Sequence, residues 1–382
     1  MDRLTGVAAK EVRRLLASRP LLFLLVCWPV FYGLFLGAIY SARVVTKMPA
    51  AVCDDDNSYT SRLAVRYLGA TRSLDLRFRA RDAAELRGYI LSGRAEAAIY
   101  IPRGFSSDIK RGKTGTITAF TNAGNLLIGN ITLSAVKTVA GTIAAGARIK
   151  FLRKTGNSGA KALADYAPVK TEAFWLFNPG GNYLNYLVPG MWGMILQQLL
   201  LAFSSLLLTW EKDAGTLDAS VKAAGGPAAL IAGKALPYYL FFFGVFELFD
   251  LAIFPLFSVP LQGAHASLAL LNALFIFAAL GLGMFTSAVC RESMDAMKGV
   301  LLVGAPALLL SGYIWPISYM PAAVKPLAYA VPLTHYLTAL RRVTQCGGPL
   351  SSALPQAGAL LLTGVICFSA AWTVLKLRRA HD

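Results

Sequence analysis

The sequence predicts a polytopic α-helical membrane protein, with six transmembrane helices (one plus five), an inserted α/β extracytoplasmic domain and outer re-entrant helices. Three observations carry that expectation. Of 382 residues, 56% are hydrophobic and only 15% charged, where soluble chains draw about 25% from Asp, Glu, Lys and Arg. Several apolar runs reach the ~20 residues that cross a hydrocarbon core at about 1.5 Å per residue. These runs are also unevenly spread, with a long hydrophilic stretch after the first and five more behind it.

Residues 1–19 form a basic amphipathic N-terminus with Lys10, Arg13, Arg14 and Arg19. The first span, Pro20–Tyr40, is full-length and aromatic, and Tyr40-Ser41-Ala42 is a poor cleavage site, so it reads as an uncleaved signal anchor. Residues 41–186 form the insert. Five spans follow within 187–375, at Leu187–Leu208, Ala235–Val259, Ala266–Val289, Gly299–Ser318 and Leu354–Leu375, and residues 376–382 form a tail. The N-terminal tail carries five basic residues against two acidic ones, and the C-terminal tail carries Lys376, Arg378 and Arg379 against Asp382. By the positive-inside rule both ends are cytoplasmic, as an even number of spans requires, and the insert lies outside.

The net charge of +17 raises nucleic acid as a partner. However, Ser41–Asn185 holds 21 Lys/Arg against 10 Asp/Glu, a balance of +11. Most of the charge therefore sits on a long translocated domain, where the inside rule has little force. Nucleic acid is not expected as a partner.

Within the insert, Ala50–Cys53, Ala97–Ile101 and Thr116–Thr121 are β-like. Tyr59–Leu68 and Asp82–Leu91 show helical spacing. Asp82 is a plausible N-cap, with Glu85 completing a capping box. Strand–helix–helix–strand order gives a compact α/β domain, followed by a longer helix over Gly129–Phe151, a Gly/Ser break at Gly156–Gly159 and a turn-rich approach at Asn178–Tyr183. Gly112-Lys113-Thr114 imitates the end of a phosphate-binding loop. It lacks the first glycine, since Ser107 stands there, and it is followed by strand-like residues rather than a helix. No other segment offers that pattern, so the chain is not expected to hydrolyse ATP. Cys53 and Cys346 share the outer side, where a disulfide is chemically permitted; two unpaired thiols are the simpler reading.

The membrane spans hold two acids, Glu247 and Asp250, spaced i, i+3 on one helix face. Acids at bilayer depth normally face a bundle interior, a polar cavity or a partner. Three readings stay open: a lining of the substrate path, a structural pair to Arg, Lys or polar groups on another helix or subunit, or misplacement of the span. The segment Trp210–Leu217, continuing to Gly225-Gly-Pro227 and Gly233-Lys234, is a charged amphipathic element on the cytoplasmic side. Arg291–Asp295 is a second short charged turn. The outer stretch from Leu310 to Tyr336 is apolar but broken by Pro316, Pro321, Pro326 and Pro332, which disfavours another complete span. Short helices dipping into the interface fit better, with Trp315, Tyr319 and Tyr329 as anchors. His335 has no nearby Cys, Asp or second His and reads as structural.

Several pieces together carry a family likeness. They are Val52-Cys-Asp-Asp-Asp-Asn-Ser58 with Ser61-Arg62, Gly93-Arg-Ala-Glu-Ala-Ala-Ile-Tyr-Ile-Pro-Arg-Gly-Phe105, Phe177-Asn-Pro179 to Asn182-Tyr183, and Val188-Pro-Gly190. Further on come Glu211-Lys-Asp-Ala-Gly-Thr-Leu217, Ser311-Gly-Tyr-Ile-Trp-Pro316, Met320-Pro321 and Pro332-Leu-Thr-His-Tyr336. In this order, over nearly the whole chain and with one-plus-five topology, the sequence resembles the permease subunit of type-2 ABC exporters. It is most similar to the multidrug-efflux-like branch with a large extracytoplasmic domain between the first and second spans. The resemblance implies a dimer with a second permease copy or paralogue, two cytoplasmic ABC ATPase subunits, a periplasmic membrane-fusion adaptor in some relatives, and the bacterial cytoplasmic (inner) membrane. It places Glu211, Lys212 and Gly215 in a coupling helix and Arg291 and Glu292 in a second cytoplasmic contact. Gly312, Pro316, Pro321 and Pro332 would shape the outer re-entrant helices. No cofactor, metal or intrinsic catalytic activity is implied in this chain; ATP and Mg belong to the ATPase subunits. Cys53 stands where a small aliphatic residue is usual. Glu247 and Asp250 lie outside the shared pattern and stay candidate pathway residues. The alternatives are a non-transporting membrane assembly or signalling protein, an ion-driven carrier and, more remotely, a membrane enzyme.

Overall fold

The computed structural model describes residues 2–111, 113–121, 126–154, 177–178 and 181–381. These divide into two units, Met1–Arg43 with Trp175–Asp382, and Val44–Phe174.

The first unit is helical. Helix α1 (Asp2–Ala17) is amphipathic and ends at Ser18, where Pro20 opens the next helix. Helix α2 (Arg19–Ile39) is the first apolar span and carries a π turn at Phe23–Cys27. The chain then passes through the second unit, which among the described residues holds the next four helices and four strands. The helical unit then resumes with α7 (Tyr183–Leu206), α8 (Thr209–Asp213), α9 (Leu217–Ala224) and α10 (Pro227–Leu256), the last with a π turn at Phe249–Ile253. After them come α11 (His265–Val289) and α12 (Ser293–Leu310), which is interrupted at Ala305-Pro306. The short α13 (Lys325–Ala330) and α14 (Pro332–Leu340) precede α15 (Leu354–His381).

Helix α7 is the hub: 72% of its most apolar stretch is buried, against 22% for the terminal span. Its side chains Leu196, Leu200, Leu201 and Phe203 are buried along with Tyr238 and Phe242 of α10 and Phe275 and Leu280 of α11. Helices α7 and α11 cross so closely at Gly283 that a Cβ there would meet Ser204 Oγ and approach the Leu201 carbonyl to 3.1 Å. Gly283→Ala is therefore expected to cost about 1–3 kcal/mol by overpacking. Adding Ser204→Ala should recover part of it, read as the midpoint of thermal unfolding of the purified protein.

The second unit is a three-layer α/β arrangement. Its strands are β1 (Met48–Asp54), β2 (Leu74–Arg79), β3 (Ala97–Ile101) and β4 (Thr118–Thr121), ordered β2-β1-β3-β4. Strand β1 is parallel to both neighbours, and β4 is antiparallel to β3. Helix α3 (Tyr59–Ala70) and helix α6 (Leu126–Lys154) cover one face, where Ala50, Val52 and Ile99 meet Ala64, Leu68, Val136 and Val139. Helix α4 (Ala83–Leu91) covers the other, where Ala51, Cys53 and Ala98 meet Leu86. Small residues on both faces of β1 let helices approach from both sides. A short α5 (Phe105–Lys110) precedes β4.

The expected β-runs form strands and the expected helical stretches form helices, with three differences. Leu74–Arg79 is a strand the charged residues had concealed: Leu74, Leu76 and Phe78 alternate with Asp75, Arg77 and Arg79. Asp82 caps α4 as expected, accepting from the Glu85 N–H at 2.8 Å. The return arm, however, reaches Arg81 N–H rather than Asp82 N–H. The fourth apolar helix of the C-terminal block starts at Ser293, before Gly299, because its first turn is polar. It stops at Leu310 rather than Ser318, since Gly312 takes φ +77° and Pro316 follows. Gly112, the Gly156–Gly159 break and Pro179-Gly180 lie outside the described residues.

Among the described residues, seven helices are long and apolar enough to cross a membrane. Six correspond to the expected spans. The seventh, Leu127–Lys150, lies within α6, whose Ala135, Val136, Val139 and Ile143 belong to the core of the α/β unit.

Candidate functional site

The polar residues of the helical unit gather at two places, the α8–α9 turn and the α10/α11 seam. The first begins with Ser287 near the end of α11. Its Oγ accepts from the backbone N–H of Leu208 (2.9 Å) and of Thr209 (3.1 Å), fixing the start of α8. Lys212 of α8 then turns its ammonium onto the carbonyls of Ser287 (2.6 Å), Ala288 (2.8 Å) and Cys290 (2.6 Å). A cation on the free carbonyls of a helix C-terminus satisfies acceptors that have no intrahelical partner. Asp213 accepts from the Ser293 N–H at 3.3 Å, at the start of α12. One short helix thus ties down both ends of the Arg291-Glu292 turn, whose two side chains stay exposed.

Gly215 reverses the chain between α8 and α9 at φ +65°, a conformation that costs other residues a Cβ clash. The reversal lets Glu211 face back across the turn. Its carboxylate accepts from Thr216 Oγ1, from Ser220 Oγ (2.8 Å) and from Lys234 Nζ (3.0 Å). Lys234, on α10, also donates to Glu11 of α1. Glu11, Glu211 and Lys234 are 1%, 4% and 1% exposed, so this is a buried charge cluster and not a surface ion pair. Lys10 adds an exposed cation 3.7 Å from Glu211. The Arg14 guanidinium lies over the Trp210 ring at 4.2 Å. The cluster fastens the N-terminal helix to the α8–α9 turn and to the start of α10.

Of the residues expected to act together here, Glu211, Lys212 and Gly215 converge on one element, and Arg291 and Glu292 lie beside it. Lys212 turns its ammonium onto α11 and, with Gly215, Asp218, Arg291 and Arg378, also lines a cavity of about 360 Å³. Lys234 stands in the charged element that the sequence marks, but its pairing with Glu11 does not follow from the sequence, because the two sit 223 residues apart. One signal was available. Glu11 falls on the stripe of α1 that carries Leu4, Val7 and Leu15, and an acid on an apolar stripe calls for a buried partner.

At the second place, Glu247 and Asp250 of α10 meet one face of α11, forming two rungs. Glu247 lies 2.8 Å from His265 Nε2 at the partly exposed end. Asp250, 3% exposed, accepts from Asn272 Nδ2 at 2.7 Å, and Asn272 Oδ1 accepts from the Tyr336 hydroxyl at 2.8 Å. The i, i+3 spacing did put both acids on one face, and a partner seven residues along α11 answers each.

Near the proline-broken stretch before α14, Tyr186 and Tyr313 exchange hydroxyl-to-carbonyl hydrogen bonds, and Arg341 stands 4.3 Å over the Tyr313 ring and donates to its carbonyl at 3.1 Å. Pro316 precedes the 3-10 turn Ile317–Tyr319, Pro321 begins the turn closed by Val324, and Pro332 opens α14. His335 lies 2.8 Å from the Tyr329 carbonyl.

Among the described residues, no group of three or more His, Cys, Asp or Glu side chains could hold a metal. Cys53 and Cys346 are both free thiols. Burial, then the adjacent Asp55 carboxylate, pushes the Cys53 thiol up to about 11. At pH 7.5 only about one molecule in a few thousand carries the thiolate there, and the thiolate is the nucleophile. Maleimide should therefore label Cys53 far more slowly than a cysteine introduced at exposed Ser107, as read by peptide mass spectrometry.

A family described as "ABC-2 family transporter protein" matches residues 19–373. Over 212 residues the chain is 26% identical to the "Probable multidrug ABC transporter permease YbhS" of Escherichia coli K12, covering 55% of each. The chain thus spans about half the length of that relative. It is 22% identical to the "Probable multidrug ABC transporter permease YbhR" of the same strain over 347 residues, 89% of each. It is 25% identical to that strain's "Inner membrane transport permease YhhJ" over 394 residues, 98% of this chain and 96% of the relative.

Proposed function

Because this chain belongs to the ABC-2 transporter family and is a multi-pass membrane permease of the ABC class, we propose that it forms the pathway of an ATP-driven exporter. In this reading it works as a dimer, with a second copy or a paralogue, on two separate cytoplasmic ATPase subunits that hold ATP and Mg. It resides in a bacterial inner membrane with both termini cytoplasmic. Its six spans leave α6 with the α/β unit on the outside, where an adaptor protein can meet it. The proline-broken stretch before α14 re-enters the outer interface. Residues 187–375 are the transmembrane domain.

The observation that carries the reading is the α8–Gly215–α9 turn. A loop that only joined two spans would not need a buried carboxylate–ammonium–carboxylate cluster and a lysine capping the C-terminus of α11. Such rigidity suits an element that passes force from an ATPase into α7, α10 and α11 with little loss. Glu211 and Lys212 act as its internal anchors, while the exposed Gly215, Arg291 and Glu292 are the surface an ATPase meets.

Full-length tagged chain drawn from its native membrane is expected to bring an ABC ATPase with it, and a cysteine replacing the exposed Asp218 should cross-link to that subunit. Recovery with no ATPase, together with cargo movement that survives ATP depletion and stops when the proton gradient collapses, would overturn the reading in favour of an ion-driven carrier.

A further inference from the structure

The carboxyl ends of parallel strands are where open α/β sheets receive ligands, in the crevice beside the strand at which the connections change direction. In the α/β unit the connections run from β1 to β2 on one side and then back to β3 on the other, so that crevice is the β1/β3 one. The β1/β3 side is already filled. Asp56 accepts from the N–H of Gly104 (2.9 Å) and of Ser106 (3.2 Å), so the protein's own carboxylate occupies the donors there.

The β1/β2 side is open. A cavity of about 480 Å³ lies there, lined by Val52 and Asp54 of β1, Arg79 at the end of β2, and Tyr59, Arg62 and Arg66 of α3. Tyr59, Arg62 and Arg66 fall at i, i+3 and i+7 on one face of their helix. The lining sets three arginines against a single carboxylate, Asp54, which accepts from Ser61 Oγ (2.8 Å) and the Asn57 N–H (3.0 Å). Arg62 is spent in part on Asn57, donating to its carbonyl at 2.7 Å and its side-chain oxygen at 3.1 Å. Among the described residues, neither Arg66 nor Arg79 has a carboxylate within ion-pair distance. Nearby Asp75 is engaged by Arg77 at 2.7 Å. Guanidinium groups match carboxylate and phosphate with two parallel donors. The remaining wall, from Val52, Val65, Ala80 and the Tyr59 ring, is apolar. The lining is thus divided about evenly between a charged, polar side and an apolar side, and a concave site of this size with convergent polar groups can receive a small molecule.

We propose that this crevice binds amphipathic anions, an oxyanion such as a carboxylate or phosphate ester carried on an apolar body, with Arg66 and Arg79 holding the charged head. The inference needs neither cargo movement nor ATP, so its failure would leave the exporter reading untouched.

The test uses the full chain in nanodiscs of zwitterionic lipid, with arginine modification by phenylglyoxal mapped by peptide mass spectrometry. Hexyl phosphate at about ten times its dissociation constant should slow modification of Arg66 and Arg79 about tenfold by mass action. Exposed Arg87 and Arg111 should react as before. Hexyltrimethylammonium should protect nothing, and inorganic phosphate should protect much less than hexyl phosphate. Equal protection of all exposed arginines would mean adsorption to the bilayer or bulk screening and would overturn the proposal, as would no protection at all. Equal protection by inorganic phosphate would remove the apolar half of the claim. In calorimetric titration, R66Q/R79Q should lose hexyl phosphate binding while R87Q/R111Q, with the same change in charge, keeps it; loss in both pairs would also overturn it.

Discussion

Replacing Lys234 by methionine is expected to destabilise the helical unit by about 3–5 kcal/mol, the usual cost of removing one partner from a buried ion pair. The ammonium is the only cation among the described residues within hydrogen-bond distance of both Glu11 and Glu211. All three groups are 4% exposed or less, so solvent does not screen the loss. Methionine keeps the volume and leaves two carboxylates facing each other across α1 and the α8–α9 turn. Protein abundance and the thermal midpoint should fall together, and α1 should become accessible to protease first. Glu11→Gln added to Lys234→Met should recover a substantial part, because it removes one of the stranded charges. If Lys234→Met unfolds at the wild-type midpoint, the cluster contributes no net stability and the argument for a rigid coupling element loses its basis.

The α10/α11 seam should be nearly as sensitive, and it separates two roles for Asp250. Asn272→Leu strands both the Asp250 carboxylate and the Tyr336 hydroxyl in a buried site. The cost is about 1–3 kcal/mol for each unsatisfied group. Asp250→Asn should be mild, since its amide oxygen can still accept from Asn272. The expected result is therefore a sharp loss of folded protein for Asn272→Leu and near-normal abundance and transport for Asp250→Asn. Abundant Asp250→Asn protein that no longer moves cargo would assign the acid to the transport path or to ion coupling instead.

Much of the fold was legible because its signals are local. A run such as Ala97–Ile101 is apolar and β-prone along its whole length. Asp82 before Ala83 is a helix start at short range. The apolar runs register on any window of span length. Strand β2 was missed because three charged side chains in six residues outweighed the alternation of Leu74, Leu76 and Phe78. The start of α12 was missed because Asp295 and Lys298, which pair at 3.6 Å, lower the apolar average of its first turn.

The candidate site divides along the same line. Glu211, Lys212 and Gly215 stand in one short motif, so their association with a turn between two spans follows from their spacing. The choice among partners for Glu247 and Asp250 did not follow, since helix spacing fixes which residues share a face and leaves open what that face meets. His265, Asn272 and Tyr336 became their neighbours only when α11 and α14 packed against α10.

Composition, apolar run length and charge placement thus decided the class of this protein, its order of spans and the position of its hydrophilic insert, since a bilayer and a helix act on contiguous residues. Packing alone decided that Glu11 closes on Lys234, that Lys212 caps α11, and that one side of β1 is filled by Asp56 while the other is left to arginine. These are contacts between distant parts of the chain, and a buried charge reveals its partner only once the surrounding helices have excluded water and every other candidate.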